Sequence, residues 1–169
     1  MEPIYLFFET TLGKGMPEIP VRQAYLAQIA HPEERARYCA ASRALFRAAA
    51  FLALDATAFF YQEDGRPVLP GAQVSLSHAG EMALCAISRE RVGVDLERRE
   101  RRIPPQVLRR VGAQAFPGET ALEKWLAWEA RRKAAGPQKV RFLSRGDYRI
   151  AVCASALATL YDGDTGKEI

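Results

Sequence analysis

A chain of 169 residues that is 49% hydrophobic and 26% charged can bury a core as one compact domain or two small lobes in close contact, which excludes a disordered or fibrous protein. The net charge of +4 favours polyanionic partners: nucleotides, nucleic acid, acidic proteins or anionic membranes. Three cysteines (Cys39, Cys85, Cys153) without CxxC spacing, and two histidines, argue against a disulfide framework or a zinc site.

Met1-Glu2-Pro3 lacks the basic flank of a secretion signal, so the expected location is the cytoplasm. Tyr5-Leu6-Phe7-Phe8 reads as a first strand, and His31-Pro32-Glu33 opens a helix running to about Leu54, with proline where its missing N–H costs little. Tyr38, Ala41, Leu45, Ala48 and Leu52 recur at helical spacing along it. The apolar stretch around Leu45 to Phe60 contains Arg47 and Asp55 and follows Arg43, so it falls short of a membrane span.

After the turn signals Asp64-Gly65-Arg66-Pro67 and Pro70-Gly71 come three β-like runs: Val74 to Ser77, Met82 to Ser88 and Val92 to Glu97. A second helical region follows Pro104-Pro105. A third starts at Thr120, whose hydroxyl makes a capping box with Glu123, and ends at Gly136-Pro137. Tyr148 to Ala154 is the last convincing strand, and Gly163-Asp164-Thr165-Gly166 reads as a frayed tail. Met82-Ala83-Leu84-Cys85-Ala86 echoes Ile150-Ala151-Val152-Cys153-Ala154, so each half is expected to own an equivalent central strand, although buried strands draw on a small alphabet.

Chemistry concentrates in two places. Strand alternation in Val92-Gly93-Val94-Asp95-Leu96-Glu97 puts the aliphatic residues on one face and Gly93, Asp95 and Glu97 on the other. Two like charges on one face repel unless a cation sits between them, and a hard, oxygen-seeking ion such as Mg²⁺ is a natural answer. Gly93 would let a ligand approach the backbone. The alternative is a strand ending in solvent, with Arg98 and Arg99 neutralising the acids. In the helix from Ala121, Leu122, Trp125 and Leu126 define an apolar stripe that Glu129 and Lys133 interrupt, while Arg131 points the other way. Glu129 and Lys133 also have the spacing of a helical ion pair, but on a buried stripe they require a partner charge or metal.

Gly65-Arg66-Pro67, Ser75-Leu76-Ser77-His78-Ala79-Gly80, Val92 to Glu97, and Trp125-Leu126-Ala127-Trp128-Glu129-Ala130-Arg131-Arg132-Lys133 resemble, in order, the signature blocks of the 4'-phosphopantetheinyl transferases, of the monomeric surfactin-synthetase-activating type. Ala41 to Arg47 is similar to that family's arginine-bearing first helix, so the resemblance covers about residues 33 to 154. It implies an α+β fold of two similar lobes related by a pseudo-two-fold, here residues 1–91 and 92–169, with coenzyme A in the cleft between them. It implies transfer of 4'-phosphopantetheine from coenzyme A to a serine of an acidic apo acyl or peptidyl carrier protein, releasing 3',5'-ADP. Metal ligands for Mg²⁺ or Mn²⁺ fall on Asp95, Glu97 and Glu129. Glu129 is implied as the base and Lys133 as the group that stabilises the departing phosphate, with Ser77 and His78 on the coenzyme A phosphates. Arg43 would grip the 3'-phosphate, and Arg66 the adenine end or the same phosphate.

One departure stands out: Trp128 occupies the place of a lysine usual in that family, which removes a cation. The short loops around it leave open a relative that binds coenzyme A or carrier protein without turnover. Arg98-Arg99-Glu100-Arg101-Arg102, with Arg109 and Arg110, raises nucleic-acid binding as a further alternative, but no nucleic-acid motif and no aromatic interleaving accompany it, and the run serves equally to attract an acidic carrier. Neither nucleic acid nor membrane is expected as a partner.

Overall fold

The computed structural model describes residues 2–136, 138–155 and 158–169. The chain runs β1 (Ile4–Thr10), α1 (Pro20–Leu26), α2 (Pro32–Phe51), β2 (Phe60–Tyr61), β3 (Pro67–Val68), β4 (Gln73–Ala79), β5 (Met82–Ser88), β6 (Gly93–Arg98), α3 (Pro105–Arg110), α4 (Ala121–Ala134), β7 (Lys139–Arg145), β8 (Tyr148–Ala154) and β9 (Leu160–Asp162). The class is mixed α+β.

One sheet has the order β4-β5-β1-β9 and another β6-β8-β7, while β2 and β3 form a two-stranded ribbon. The order strand, helix, hairpin occurs twice, as β1-α2-β4-β5 and as β6-α4-β7-β8. Each hairpin turns through a glycine and an acid, Gly80-Glu81 and Gly146-Asp147, with the glycines at φ 52° and 55° where a side chain is disfavoured. The echoing pentapeptides are the second strands of those hairpins, each flanked on both sides by other strands, which is why both are apolar throughout.

Local chemistry explains the two long helices. In α2, Pro32 starts the first turn and Glu33 and Glu34 face its positive end. Ala40, Ala41, Ala44, Ala48 and Ala49 are almost fully buried, so small side chains bring the helix down onto its sheet. The capping box of α4 forms as the sequence requires, with the Thr120 hydroxyl accepting from Glu123 N. Glu123 also accepts from both Nε and Nη2 of Arg149 on β8. Burial alone would raise its pKa, but the Glu119 N–H and Arg149 outweigh it and hold the carboxyl below its usual range. The helix ends at Ala134, one residue earlier than expected, with Ala135 and not Gly136 taking the left-handed turn at φ 52°; Pro137 lies outside the described residues.

Several elements differ from expectation or were not read, the β2–β3 ribbon among them. Helix α1 is short and begins without a side-chain cap. β7 is an edge strand of part-exposed residues without clean alternation. β9 is three residues long and pairs in parallel with β1, so the chain's end joins the first sheet. The tail after it is not frayed: Asp162 Oδ1 accepts from Asp164 N and Thr165 N, its Oδ2 accepts from Arg145 Nη1 at 2.8 Å, and Asp162 N donates to Lys167 O. An aspartate that satisfies three donors orders the turn that its composition marked as loose.

All three cysteines are free, and Cys85 and Cys153 are buried. Burial pushes their thiols up to about 12 and about 11 respectively, consistent with inert core residues. No helix among the described residues is long and apolar enough to cross a membrane.

Candidate functional site: a cavity over a serine-stitched seam

The two sheets meet where β4 runs beside β6, and the join is made by side chains. Val94 N donates to Ser75 Oγ at 3.0 Å and Leu96 N donates to Ser77 Oγ at 3.2 Å. Two serine hydroxyls thus do for the edge of β6 what strand carbonyls do in a ladder, and buried N–H groups are not left unsatisfied. Ser77 in turn donates to Asp95 Oδ1 at 2.8 Å. From α4, Lys133 Nζ completes the seam, donating to Leu76 O on β4 (3.3 Å), Val94 O on β6 (3.0 Å) and Asp95 Oδ1 (2.7 Å). All three ammonium donors are used.

Gly93 makes that reach possible. A Cβ there would lie 1.9 Å from Ala130 O and 2.5 Å from Ala134 N, so what approaches its bare backbone is helix α4, and not a ligand as the sequence suggested. Val92, Val94 and Leu96 face a buried core, as alternation required, and Asp95 and Glu97 face the side that α4 covers.

Above the seam opens a cavity of about 840 Å³, within the usual range for small-molecule sites. Seven of the eight residues singled out in the sequence line it: Arg66, Ser77, His78, Asp95, Glu97, Glu129 and Lys133. They come from four separated segments. Arg43 does not line it. Its guanidinium donates to Thr10 O (2.7 Å) and Gly15 O (2.9 Å) and lies 3.5 Å from Glu9, tying the loop after β1 to α2.

Each carboxylate over the seam has a cation. Asp95 has Lys133, Glu97 pairs with Arg101, and Glu129 pairs with Arg132 at 2.9 Å. The Glu129–Lys133 pair expected from helical spacing does not form, because Lys133 is drawn inward to the seam and Arg132 takes the glutamate. Arg66 is held by Asp64 through its own N–H and its Nε, at 3.1 and 2.6 Å, which keeps the Asp64 carboxyl below its usual range.

Residues that motif reading missed also line the cavity. Arg22, on α1, is only 2% exposed yet lines the cavity. It donates to Ser42 Oγ (2.7 Å), to Tyr38 O (3.2 Å) and to the Tyr61 hydroxyl, and its guanidinium lies 3.9 Å from the Tyr38 ring centroid. Among the described residues no carboxylate pairs with it. A buried cation without an anion is costly, and beside an open cavity it favours an anionic ligand. The Tyr38 hydroxyl is buried without a partner, and burial raises its pKa well above the ordinary range. His78 presents one edge to solvent, but the protein displacing water around it lowers its pKa, and the positive charges of Arg37, Lys133 and Arg22 lower it further. No motif signals Arg22; a lone arginine after Pro17 and Pro20 reads as a surface loop residue.

Asp95, Glu97 and Glu129 have the donor chemistry for Mg²⁺: hard oxygen ligands, two on one strand face and one on the helix covering it, all on one cavity. As the side chains stand, no three acidic, histidine or cysteine groups among the described residues converge on one point, since Glu97 and Glu129 are turned onto arginines. These residues suit a divalent ion in chemistry alone; holding one requires Glu97 and Glu129 to leave Arg101 and Arg132.

Compared with models of known protein families, the chain matches none, and it matches no curated protein sequence.

Proposed function

We propose that the protein transfers 4'-phosphopantetheine from coenzyme A to a serine of an apo acyl or peptidyl carrier protein. One observation carries the reading: residues from four motif blocks, far apart in the sequence, line a single cavity in which carboxylates and basic side chains are interspersed. Coenzyme A has the complementary chemistry, with phosphates for the basic side chains and a pyrophosphate to be cleaved beside the carboxylates.

In this reading His78, Arg22 and Arg66 bind and orient phosphates. Glu129 accepts the proton of the carrier serine hydroxyl as its oxygen attacks phosphorus, and the bond to the 3',5'-ADP oxygen breaks. Lys133 holds Asp95 in register with Ser77 across the seam; with three acceptors already engaged it acts by position and charge more readily than as a proton donor. A Mg²⁺ or Mn²⁺ ion held by Asp95, Glu97 and Glu129 would neutralise charge on the pyrophosphate. The exposed arginines of 98–102 attract an acidic carrier.

Incubation with coenzyme A, Mg²⁺ and a panel of apo carrier proteins tests this by intact mass. The expected result is a carrier heavier by one phosphopantetheine, lost on adding EDTA. Coenzyme A binding without any mass gain on a broad panel favours the relative that binds without turnover, a reading supported by the arginines that cover both glutamates.

A further inference from the structure

The three cations over the seam are not held alike. Lys133 has three acceptors, and its side chain is 27% exposed. Arg101 and Arg132 each have a single hydrogen-bonding or ionic partner among the described residues, Glu97 and Glu129, and their side chains are 45% and 64% exposed. Both also lie near an indole ring: Arg101 is 5.9 Å from the Trp125 centroid, and Arg132 is 5.4 Å from that of Trp128. The two indoles are 5.2 Å apart. They form a short rail along α4 with an arginine at each end, and all but Trp128 line the cavity.

A single exposed ion pair is easily given up, whereas three buried or part-buried hydrogen bonds are not. A divalent ion reaching Glu97 and Glu129 therefore displaces Arg101 and Arg132 first and leaves Lys133 in place. An indole face keeps a displaced guanidinium close, because cation–π attraction does not depend on the carboxylate. The freed guanidinium groups then face the same cavity with their donors open, and a bidentate fork suits phosphate oxygens.

Resting on the proposed coenzyme A site, we infer that Arg101 and Arg132 are exchangeable ligand-binding residues: they cover Glu97 and Glu129 until a divalent ion arrives, then engage the phosphates of the bound ligand. Trp128 thereby offsets the cation lost at its own position, since it stations Arg132 over the cavity.

Trp125 and Trp128 are the chain's two tryptophans, so intrinsic fluorescence reads the exchange directly. The test titrates Mg²⁺ and then coenzyme A into wild type, Arg101→Gln, Arg132→Gln and a charge control at an exposed arginine off the cavity, Arg89→Gln, following tryptophan emission and binding heat. Mg²⁺ is expected to change emission in wild type, and each cavity variant to lose about half of that change. Coenzyme A binding in Mg²⁺ should weaken about tenfold in Arg132→Gln and Arg101→Gln, Mg²⁺ affinity should stay equal or rise, and Arg89→Gln should stay within about twofold. Wild-type coenzyme A affinity in both cavity variants, with their thermal melts unchanged, would overturn the inference and leave the transferase reading standing. Wild type that binds no coenzyme A would sink the ligand half of the inference together with that reading, whatever the Mg²⁺ response.

Discussion

Glu9 on β1 stands opposite Ala83, and Asp95 on β6 stands opposite Ala151, the matching alanine of the echoed strand. Each acid takes a cation from the helix that covers its sheet: Arg47 at 2.8 Å in the first half, Lys133 at 2.7 Å in the second. Two residues earlier the halves diverge. Phe7 faces Cys85 where Gly93 faces Cys153. The Phe7 ring fills the space beneath α2, whereas the bare Gly93 brings α4 into backbone contact. The same architecture thus yields a filled core in one half and, in the other, a helix close enough for Glu129 and Lys133 to share a cavity with the acids of β6.

That comparison can be broken in graded ways. The largest effect should come from Glu129→Gln, which keeps the shape and removes the carboxylate. Transfer is expected to fall by about 10³-fold or more, with the thermal midpoint essentially unchanged; a variant with substantial activity removes Glu129 from the chemistry. Next is Gly93→Ala, which puts a methyl group into the Ala130 carbonyl and should cost about 3 kcal/mol in urea unfolding. Stability equal to wild type there would mean that α4 is not seated on the strand.

The matched pair of helix cations sharpens the contrast. Lys133→Met strands a mostly buried Asp95 and two backbone carbonyls, for a loss of about 2 kcal/mol. Arg47→Met should cost less than about 1 kcal/mol, since Arg47 is 41% exposed in its side chain and Glu9 keeps Arg43. Equal losses in paired unfolding curves would show the two devices to be equivalent.

The smallest effect concerns pH. His78 has a lowered pKa in the folded chain, so the unfolded state binds its proton more readily. Its contribution is full above the unfolded value of about 6.5 and is lost as pH falls through the folded value. Stability should therefore drop more steeply with acidification in wild type than in His78→Gln over that window. Parallel curves would mean that neither the loss of hydration nor the nearby cations disfavour the charged imidazole of His78.

Much of this was legible because it rests on strong local chemistry. The capping box at Thr120 and Glu123, the alternation from Val92 to Glu97 and the apolar runs at Met82 and Tyr148 each have one physically consistent reading, and the structure follows it. The clustering of Asp95, Glu97, Glu129, Ser77 and His78 was reached through motif order. What stayed hidden depends on contacts distant in sequence. Arg22 reads as surface until α1 folds under Ser42 and Tyr61. Arg43 has the right residue type but is consumed by carbonyls of the loop after β1. Glu129 and Lys133 look like mutual partners until the seam offers Lys133 three acceptors. The glycine-rich tail becomes ordered because Asp162 meets Arg145 from another strand.

The most direct test of the account is a crystal structure with coenzyme A and Mg²⁺. The expected result is the pyrophosphate in the cavity above the β4–β6 seam, with the metal on Asp95, Glu97 and Glu129 and the nucleotide phosphates toward Arg22 and His78. Coenzyme A bound elsewhere, for instance beside Arg43 and outside the cavity, would contradict it.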